Sequence, residues 1–244
     1  MSNGRPYSLG LLAGLFLAAG LVLSAMLFTR TWMKIASSDA VNVTGSARKA
    51  VRSDLIVWKG SFAVEAPDLL EAQRKLKGDL VKLEQFLRSR AITNYAVGTI
   101  GIQEIRTVHK QDNETVQKLA GYRLSQGVEI RSSEVDRVAQ LDRETVALVE
   151  QGVVFTTETP QYIYTKAGEA KVEMLAEATK DARARADQIA TQGGRLIRRL
   201  QSARMGVFQI TPVYAIQTSW DGMNDMTSLD KTITAVVTAT FVLE

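Results

Sequence analysis

The pattern of apolar and polar positions divides the chain into one long apolar run and a longer amphipathic remainder. The run from Leu9 to Phe28 carries no charged residue. About 20 helical residues, at 1.5 Å each, cross a hydrocarbon core of roughly 30 Å. Arg5 precedes the run, and Arg30 and Lys34 follow it. The pattern therefore predicts a transmembrane helix, with residues 1–35 as a membrane anchor.

A cleaved signal peptide is the alternative interpretation of this segment. The apolar region of a signal peptide spans about 7–15 residues and ends at a small-x-small site. The run here is longer, and the residues 29–32 directly after it, TRTW, suit a signal peptidase poorly. Residues 38–40, SDA, are small enough for cleavage but lie farther from the run. We favour the anchor, and cleavage stays open.

Positive charge does not choose the orientation of this helix, because basic residues flank both of its ends. Its resemblance to an export signal favours a C-terminal region outside the cytoplasm.

Strand and helix patterns alternate after a short linker at residues 36–40. Strands show apolar residues at every second position, and helices show them at three- and four-residue steps. The predicted strands are Val41–Gly45, Asp54–Glu65, Ile100–Ile105, Leu119–Arg131, Val153–Tyr164, Leu196–Ala203, Gly206–Thr218 and Thr232–Leu243. The predicted helices are Pro67–Arg90, Ser133–Gly152 and Gly168–Gln192.

This order of elements predicts an α+β fold for residues 41–244. Helices that are separated by hairpins are typical of mixed or antiparallel sheets of β-α-β-β type. The predicted domain contains three main helices, which follow the transmembrane helix. The polar stretch from His109 to Glu114 is the predicted hairpin tip. Ser133 with Asp136 predicts a capping box, and Gly193-Gly194 predicts a helix end. The predicted core face of the third main helix consists of Val172, Leu175, Thr179, Ala182, Ala186 and Ile189.

Composition and charge narrow the classes of function. Apolar residues make up 45% and charged residues 23% of the 244 positions, which are values of a globular protein. The net charge is +4, and acids and bases alternate along the predicted helices rather than forming a basic patch. This argues against nucleic-acid binding. The chain has no cysteine, which excludes thiol nucleophiles, disulfides and cysteine-based zinc sites.

Three groups of residues were weighed as sites of chemistry. His109, the single histidine, lies in the predicted hairpin, where an exposed polar residue is the simpler interpretation. Oxygen ligands suited to a hard cation cluster in one loop at Asp221, Asn224, Asp225 and Asp230, but a solvated turn has the same composition. Gly193-Gly194 precedes Arg195, Arg198 and Arg199, yet phosphate sites use helix N-termini.

Four segments resemble the SIMPL-domain family of bacterial periplasmic and envelope proteins. Residues 43–47, VTGSA, resemble its opening V-x-G segment, and residues 121–123, GYR, resemble a pairing strand. Residues 178–186, ATKDARARA, resemble its A-x-x-D-A-R-x-K-A helix, with Arg185 where lysine is common. Residues 234–241, TAVVTATF, resemble its closing strand.

The resemblance spans residues 41–244 and implies an exported α+β domain that tends to oligomerise, with a loose link to envelope stress. The family's motif contains no agreed active site, so no catalytic, cofactor or metal residue is predicted. We expect a single-pass inner-membrane protein, anchored through Leu9–Phe28, with its domain in the periplasm. Its expected role is interaction and assembly as a homo-oligomer with unknown envelope partners. The alternatives are a ligand- or peptide-binding domain and a metal-assisted hydrolase that uses the loop 221–230.

Overall fold

The computed structural model describes residues 6–36, 39–111, 114–215 and 222–244. The chain begins with helix α1, Pro6–Ala36, and its stretch Gly10–Arg30 is apolar and long enough to cross a membrane. No side chain of this stretch is buried against protein. By length and composition α1 is a membrane anchor or a signal sequence. Of the predicted linker 36–40, Ser37 and Ser38 lie outside the described residues.

The remaining elements alternate in the predicted α+β order. The strands are β1 Ala40–Arg52, β2 Leu55–Ala66, β3 Ala96–Gln111, β4 Glu114–Ser132, β5 Phe155–Thr157, β6 Gln161–Ile163, β7 Ile197–Met205, β8 Gln209–Pro212 and β9 Asp230–Leu243. The helices are α2 Leu69–Ser89, α3 Val135–Glu144, α4 Val146–Glu150 and α5 Ala167–Gln192.

The strands form two sheets. One has the order β3-β4-β2-β5, with β6 also pairing with β2, and all its registered pairs are antiparallel. The other has the order β1-β9-β7, and β8 pairs with β9. The edge strands are β3 and β5 in the first sheet and β1 and β7 in the second. The α+β prediction is therefore confirmed.

The described chain divides into two compact units. The first contains α1, β1 through Ser46, α5 from Ala176, β7, and β9 from Val236. The second contains β2–β6, α2–α4 and β8, together with the remaining parts of β1, α5 and β9.

The larger core belongs to the second unit, where α2 and α3 pack on one face of the β2–β4 sheet. Ile56, Trp58 and Phe62 lie on that face and are fully buried. The Trp58 indole stacks on Phe155 at 5.9 Å between ring centroids, and its Nε1 donates to Asp142. Phe62 shares this face with Trp58 because successive even positions of a strand point to one side of the sheet.

Local signals fix the ends of α2. Asp68 accepts hydrogen bonds from the backbone N–H groups of Leu70 and Glu71 at 2.9 and 3.2 Å, as an N-cap does. At the other end Ala91 adopts φ +58°, and Ile92 N–H donates back to Leu87. This is the left-handed helix ending that usually takes glycine. The predicted helix Pro67–Arg90 is therefore confirmed to within two residues.

The predicted capping box at Ser133 is absent from the start of α3. Glu134 is the N-cap and makes no side-chain cap bond, while the Ser132 hydroxyl accepts from Glu134 N–H at 3.0 Å. The predicted helix 133–152 also divides at Thr145 into α3 and α4, and ends at Gly152, which has φ +81°. The apolar stripe expected from the spacing, Val135, Val138, Leu141, Thr145 and Leu148, is buried except at Thr145, which is half-buried.

The buried face of α5 agrees with the predicted one at Ala182 and Ala186 and differs from it elsewhere. The inward positions are occupied by small residues and one methionine at four-residue steps: Ala170, Met174, Ala178, Ala182, Ala186 and Ala190. Val172 and Ile189, two large residues of the predicted face, are 71% and 53% exposed. The prediction followed apolar size, whereas the close approach of α5 to β1 requires small side chains.

Four strand predictions need correction. The strand predicted at Gly206–Thr218 is only β8, Gln209–Pro212, among the described residues. β1 continues to Arg52 and does not end at Gly45, which lies inside it. His109, Lys110 and Gln111 belong to β3 instead of a hairpin tip, and residues 112–113 lie outside the described residues. The strand predicted across 153–164 is two short strands, β5 and β6, with Pro160 between them.

Candidate functional site

The first and third resembling segments meet within the first unit. An ideal Cβ placed on Gly45 would lie 2.2 Å from the Ala178 carbonyl oxygen and 2.3 Å from the Ala182 nitrogen. Real Cβ atoms do not come this near to backbone, so β1 and α5 touch main chain to main chain at this point. Gly45 is required here because any side chain would displace the helix.

A polar contact fixes this crossing beside the glycine. The Asp181 Oδ2 atom accepts from Ser46 N–H at 2.8 Å and from Arg185 Nε at 2.9 Å. The backbone hydrogen bond from Ser46 is the main cause that lowers the pKa of Asp181, and the Arg185 bond and charge add to it. The aspartate of the ATKDARARA segment therefore secures helix α5 to strand β1, and Arg185 of the same helix pairs with that aspartate.

The loop considered for a cation folds around buried Asp225 instead. Its Oδ1 accepts from Thr227 N–H at 2.9 Å, from the Thr227 hydroxyl at 2.8 Å and from Ser228 N–H at 3.3 Å. Buried Lys231 donates from Nζ to the carbonyls of Tyr162 and Asp225. An ammonium group beside the carboxylate makes the site unfavourable for a cation.

The pKa directions agree with this arrangement. Burial raises the pKa of Asp225, but the hydrogen bonds from Thr227 and Ser228 outweigh it and, with the charge of Lys231, the net shift is downward. Burial lowers the pKa of Lys231, and nearby Asp225 opposes that shift. Asp221 lies outside the described residues, and among the described ones no three carboxylate or imidazole groups converge on a metal position.

The other two candidates are separate from this loop. The His109 backbone pairs with Val116 in the β3–β4 hairpin, and its side chain lies outside the described residues. Gly193-Gly194 ends α5 as predicted: Gly194 has φ +69°, and Arg195 N–H donates to the Ala190 carbonyl at 2.8 Å. The Arg195 guanidinium binds Asp39 of the same chain. Arg198 and Arg199 are exposed on β7.

A cavity of about 540 Å³ lies in the second unit between α2 and the edge of β2. One stripe of α2 forms a wall with Lys75, Gly78, Asp79 and Lys82, which are spaced for one helix face. The rest of the lining comes from Ala63, Val64, Glu65, Arg123, Gly152 and Val154. Lys82 Nζ donates to Asp79 Oδ1 at 3.1 Å and to the Gln151 carbonyl at 3.0 Å.

Comparison with known families assigns the chain. The family model SIMPL, described as a protein of unknown function (DUF541), matches residues 41–241. The chain belongs to the SIMPL family. No curated protein matches the chain. The SIMPL match starts after α1 and covers the segments 43–47 and 178–186, whose residues Gly45, Ser46, Asp181 and Arg185 form the β1–α5 crossing. Those residues of the SIMPL domain therefore carry packing contacts.

Sequence reasoning found the residues of the crossing through the resemblance but not their contact. It missed the cavity altogether. The one available signal was Gly78, a glycine in the middle of a predicted helix, where glycine is unfavourable. Its ideal Cβ meets no atom within 4 Å, so no packing contact of the described residues requires glycine there.

We expect Gly45→Ala to lower the free energy of unfolding by about 3 kcal/mol or more, because the methyl group must displace helix backbone. Equilibrium urea unfolding measures this change. Gly127→Ala is the matched control: Gly127 also lies in a strand, but its ideal Cβ meets only the Gly60 carbonyl oxygen at 3.8 Å. Equal stability of the two variants would contradict the backbone contact at Gly45.

We expect acid sensitivity from Asp181. Its folded-state pKa is below the ordinary value of 3.8, so its stabilising effect is fully present above that pH and is lost as pH falls through the folded pKa. Urea unfolding at pH 7 should therefore show Asp181→Asn as less stable than wild type, and the difference should shrink towards pH 3. Asp187→Asn is the control, since its ion pair with Arg183 on the same helix is long, at 4.0 Å. A pH-independent difference would contradict this role.

We expect Gly78→Ala to stabilise the protein by about 1 kcal/mol, because alanine favours helix and its methyl group enters open space. Thermal unfolding should show a higher Tm. A lower Tm would mean that the space beside Gly78 is closed.

Proposed function

We propose that this SIMPL protein acts through binding and assembly rather than catalysis, as a homo-oligomer anchored in the inner membrane. In this proposal residues 1–35 form a single-pass anchor through Leu9–Phe28, residues 36–40 a linker, and residues 41–244 a periplasmic domain. Its partners are further copies of the chain and envelope proteins, with a link to envelope stress, and nucleic acid is not among them. The main support is that, within the part of the chain that the structure describes, β3 and β7 each lie at a sheet edge with no further strand beside them.

Strand β3 supports the proposal in the second unit. Val97, Ile100 and Ile102 pair with Val128, Gln126 and Leu124 of β4, and so lie on the face that carries the core. Val128 and Leu124 are buried beneath the helices, whereas Ile102 is 60% exposed. The helical layer therefore stops short of β3. Strand β3 is also an edge strand among the described residues, and an edge strand with exposed apolar side chains favours pairing with another chain.

Strand β7 shows the same combination in the first unit. Leu200 and Met205 pair with Phe241 and Val237 of β9, both of which are buried. Leu200 and Met205 are nevertheless each 45% exposed, and no residue of β7 is fully buried. An edge strand that leaves apolar side chains of the core face open gains stability when a second chain covers it.

The decisive measurement is the native mass of the detergent-extracted chain by light scattering, with detergent subtracted. We expect a defined mass of at least twice the chain mass of 26.8 kDa. A shortened chain that begins at Val41 should keep this assembly, because both edge strands lie beyond the anchor. A monomer at all concentrations in both cases would contradict the proposal.

The edges themselves are tested with a charged double variant. Ile102→Lys with Leu200→Lys places an ammonium group on the apolar side of each edge strand and should reduce the mass to that of a monomer. Val172→Lys is the matched control, since Val172 is 71% exposed on α5. If the double variant keeps the wild-type mass, assembly uses another surface.

A further inference from the structure

The cavity beside α2 lies where strand β2 loses its neighbour. On this side β2 pairs with β5 from Gly60 to Phe62, and Ala63 N–H donates to the Val154 carbonyl at 3.2 Å. The antiparallel register would next place Gly152 opposite Glu65. Gly152, however, adopts φ +81° and gives its N–H to the Val149 carbonyl, ending α4. The chain therefore turns away from β2 at this point.

The backbone of Glu65 faces the resulting gap. Lys59 and Ala63 hydrogen-bond to the segment 154–158, so odd-numbered residues of β2 direct their N–H and C=O groups to this side. By the same alternation, Glu65 directs its backbone groups into the cavity. Among the described residues no strand continues the pairing there. An extended polypeptide is the ligand that uses such a pair of groups, by adding a strand to the edge.

The charges of the lining favour an anionic end on that polypeptide. Three cations, Lys75, Lys82 and Arg123, line the cavity against two acids, Glu65 and Asp79. Arg123 holds Glu65 only loosely, at 3.6 Å, and Lys75 pairs with Glu71 on the exposed helix surface. Each of the three cations therefore has one acidic partner, and the pair of Arg123 with Glu65 is the longest of the three, so a carboxylate of the ligand engages Arg123 with the least competition. The volume of about 540 Å³ lies within the range of ligand sites.

Gly78 keeps the helix wall of the cavity open. It lies between Lys75 and Lys82 on the same stripe, and the space next to its Cα is empty to 4 Å. Any side chain at this position would occupy the cavity without meeting the protein. No packing contact among the described residues requires glycine at position 78. A ligand that occupies the adjacent space would explain why a glycine stands in the middle of this helix.

We propose that this cavity binds the C-terminal end of an extended polypeptide, which pairs with β2 at Glu65 and places its carboxylate against Lys75, Lys82 and Arg123. This binding activity is separate from the assembly proposed above and does not depend on it. Val64 and Val154 supply apolar surface for the side chains of the bound residues.

The test uses the full chain in non-ionic detergent and two pools of random pentapeptides immobilised through N-terminal biotin. One pool ends in free carboxylates and the other in amides. We expect binding to the acid pool and at least about tenfold weaker binding to the amide pool, the effect of losing a charge-assisted hydrogen bond. Hydrogen exchange at the Glu65 amide should slow when the acid pool is present, which a merely structural cavity would not produce.

Two matched pairs of variants locate the binding. Gly78→Leu fills the cavity and should abolish binding without lowering Tm, whereas Gly168→Leu should bind as wild type. Gly168 is a helical glycine in α5 with equally empty surroundings, and it does not line the cavity. Lys75→Gln should weaken binding about tenfold. Lys77→Gln, on the exposed surface of the same helix, should not.

Several results would overturn the proposal. They are absence of binding to either pool, equal binding of the acid and amide pools, and wild-type binding by Gly78→Leu or by Lys75→Gln. Unchanged exchange at Glu65 despite binding would place the peptide elsewhere. None of these results alters the native mass, so the assembly is judged independently.

Discussion

The backbone contact between β1 and α5 at Gly45 is the constraint on which the first unit depends. Because helix and strand touch without intervening side chains, the inward positions of α5 must be small, and they are alanines at 178, 182, 186 and 190. Asp181 then reaches Ser46 N–H across the crossing. The resembling segments of the family are thus explained by close packing: glycine on one element, alanines and an aspartate on the other.

Incomplete cover of the sheets produces the other notable surfaces. In the second unit the helices cover β2 and β4 but leave the core face of β3 exposed, and in the first unit β7 is exposed on both faces. At the end of β2 a neighbouring strand is absent among the described residues, because β5 stops pairing with β2 before Glu65. These exposed edges are the surfaces on which the proposed assembly and peptide binding depend.

The sequence predicted those features that depend on local chemistry. Asp68 and Gly193-Gly194 marked the ends of α2 and α5, and the three- and four-residue spacing located the buried stripe of α3. Predictions from the sequence were wrong where the conformation depends on a segment far away in the chain. Gly45 was predicted to end a strand because the sequence does not show that α5 packs on it. Val172 was predicted to be buried because the sequence does not show that Ala178 faces β1. The cavity depends on where β5 stops pairing, which no local pattern encodes.

The sheet order also determines how long β1 waits during synthesis for the strand that pairs with it. Strand β1 has β9 as its neighbour, and the Thr44 and Thr238 hydroxyls that meet between them are 194 residues apart. At about 5–20 residues per second, a ribosome needs roughly 10 to 40 seconds to make the second strand after the first. During that interval Val43 and Gly45 have no sheet to join, while the β3–β4 hairpin can already close. Strand β1 therefore stays without its sheet neighbour for the whole of this interval, although it is the first strand of the chain to be made.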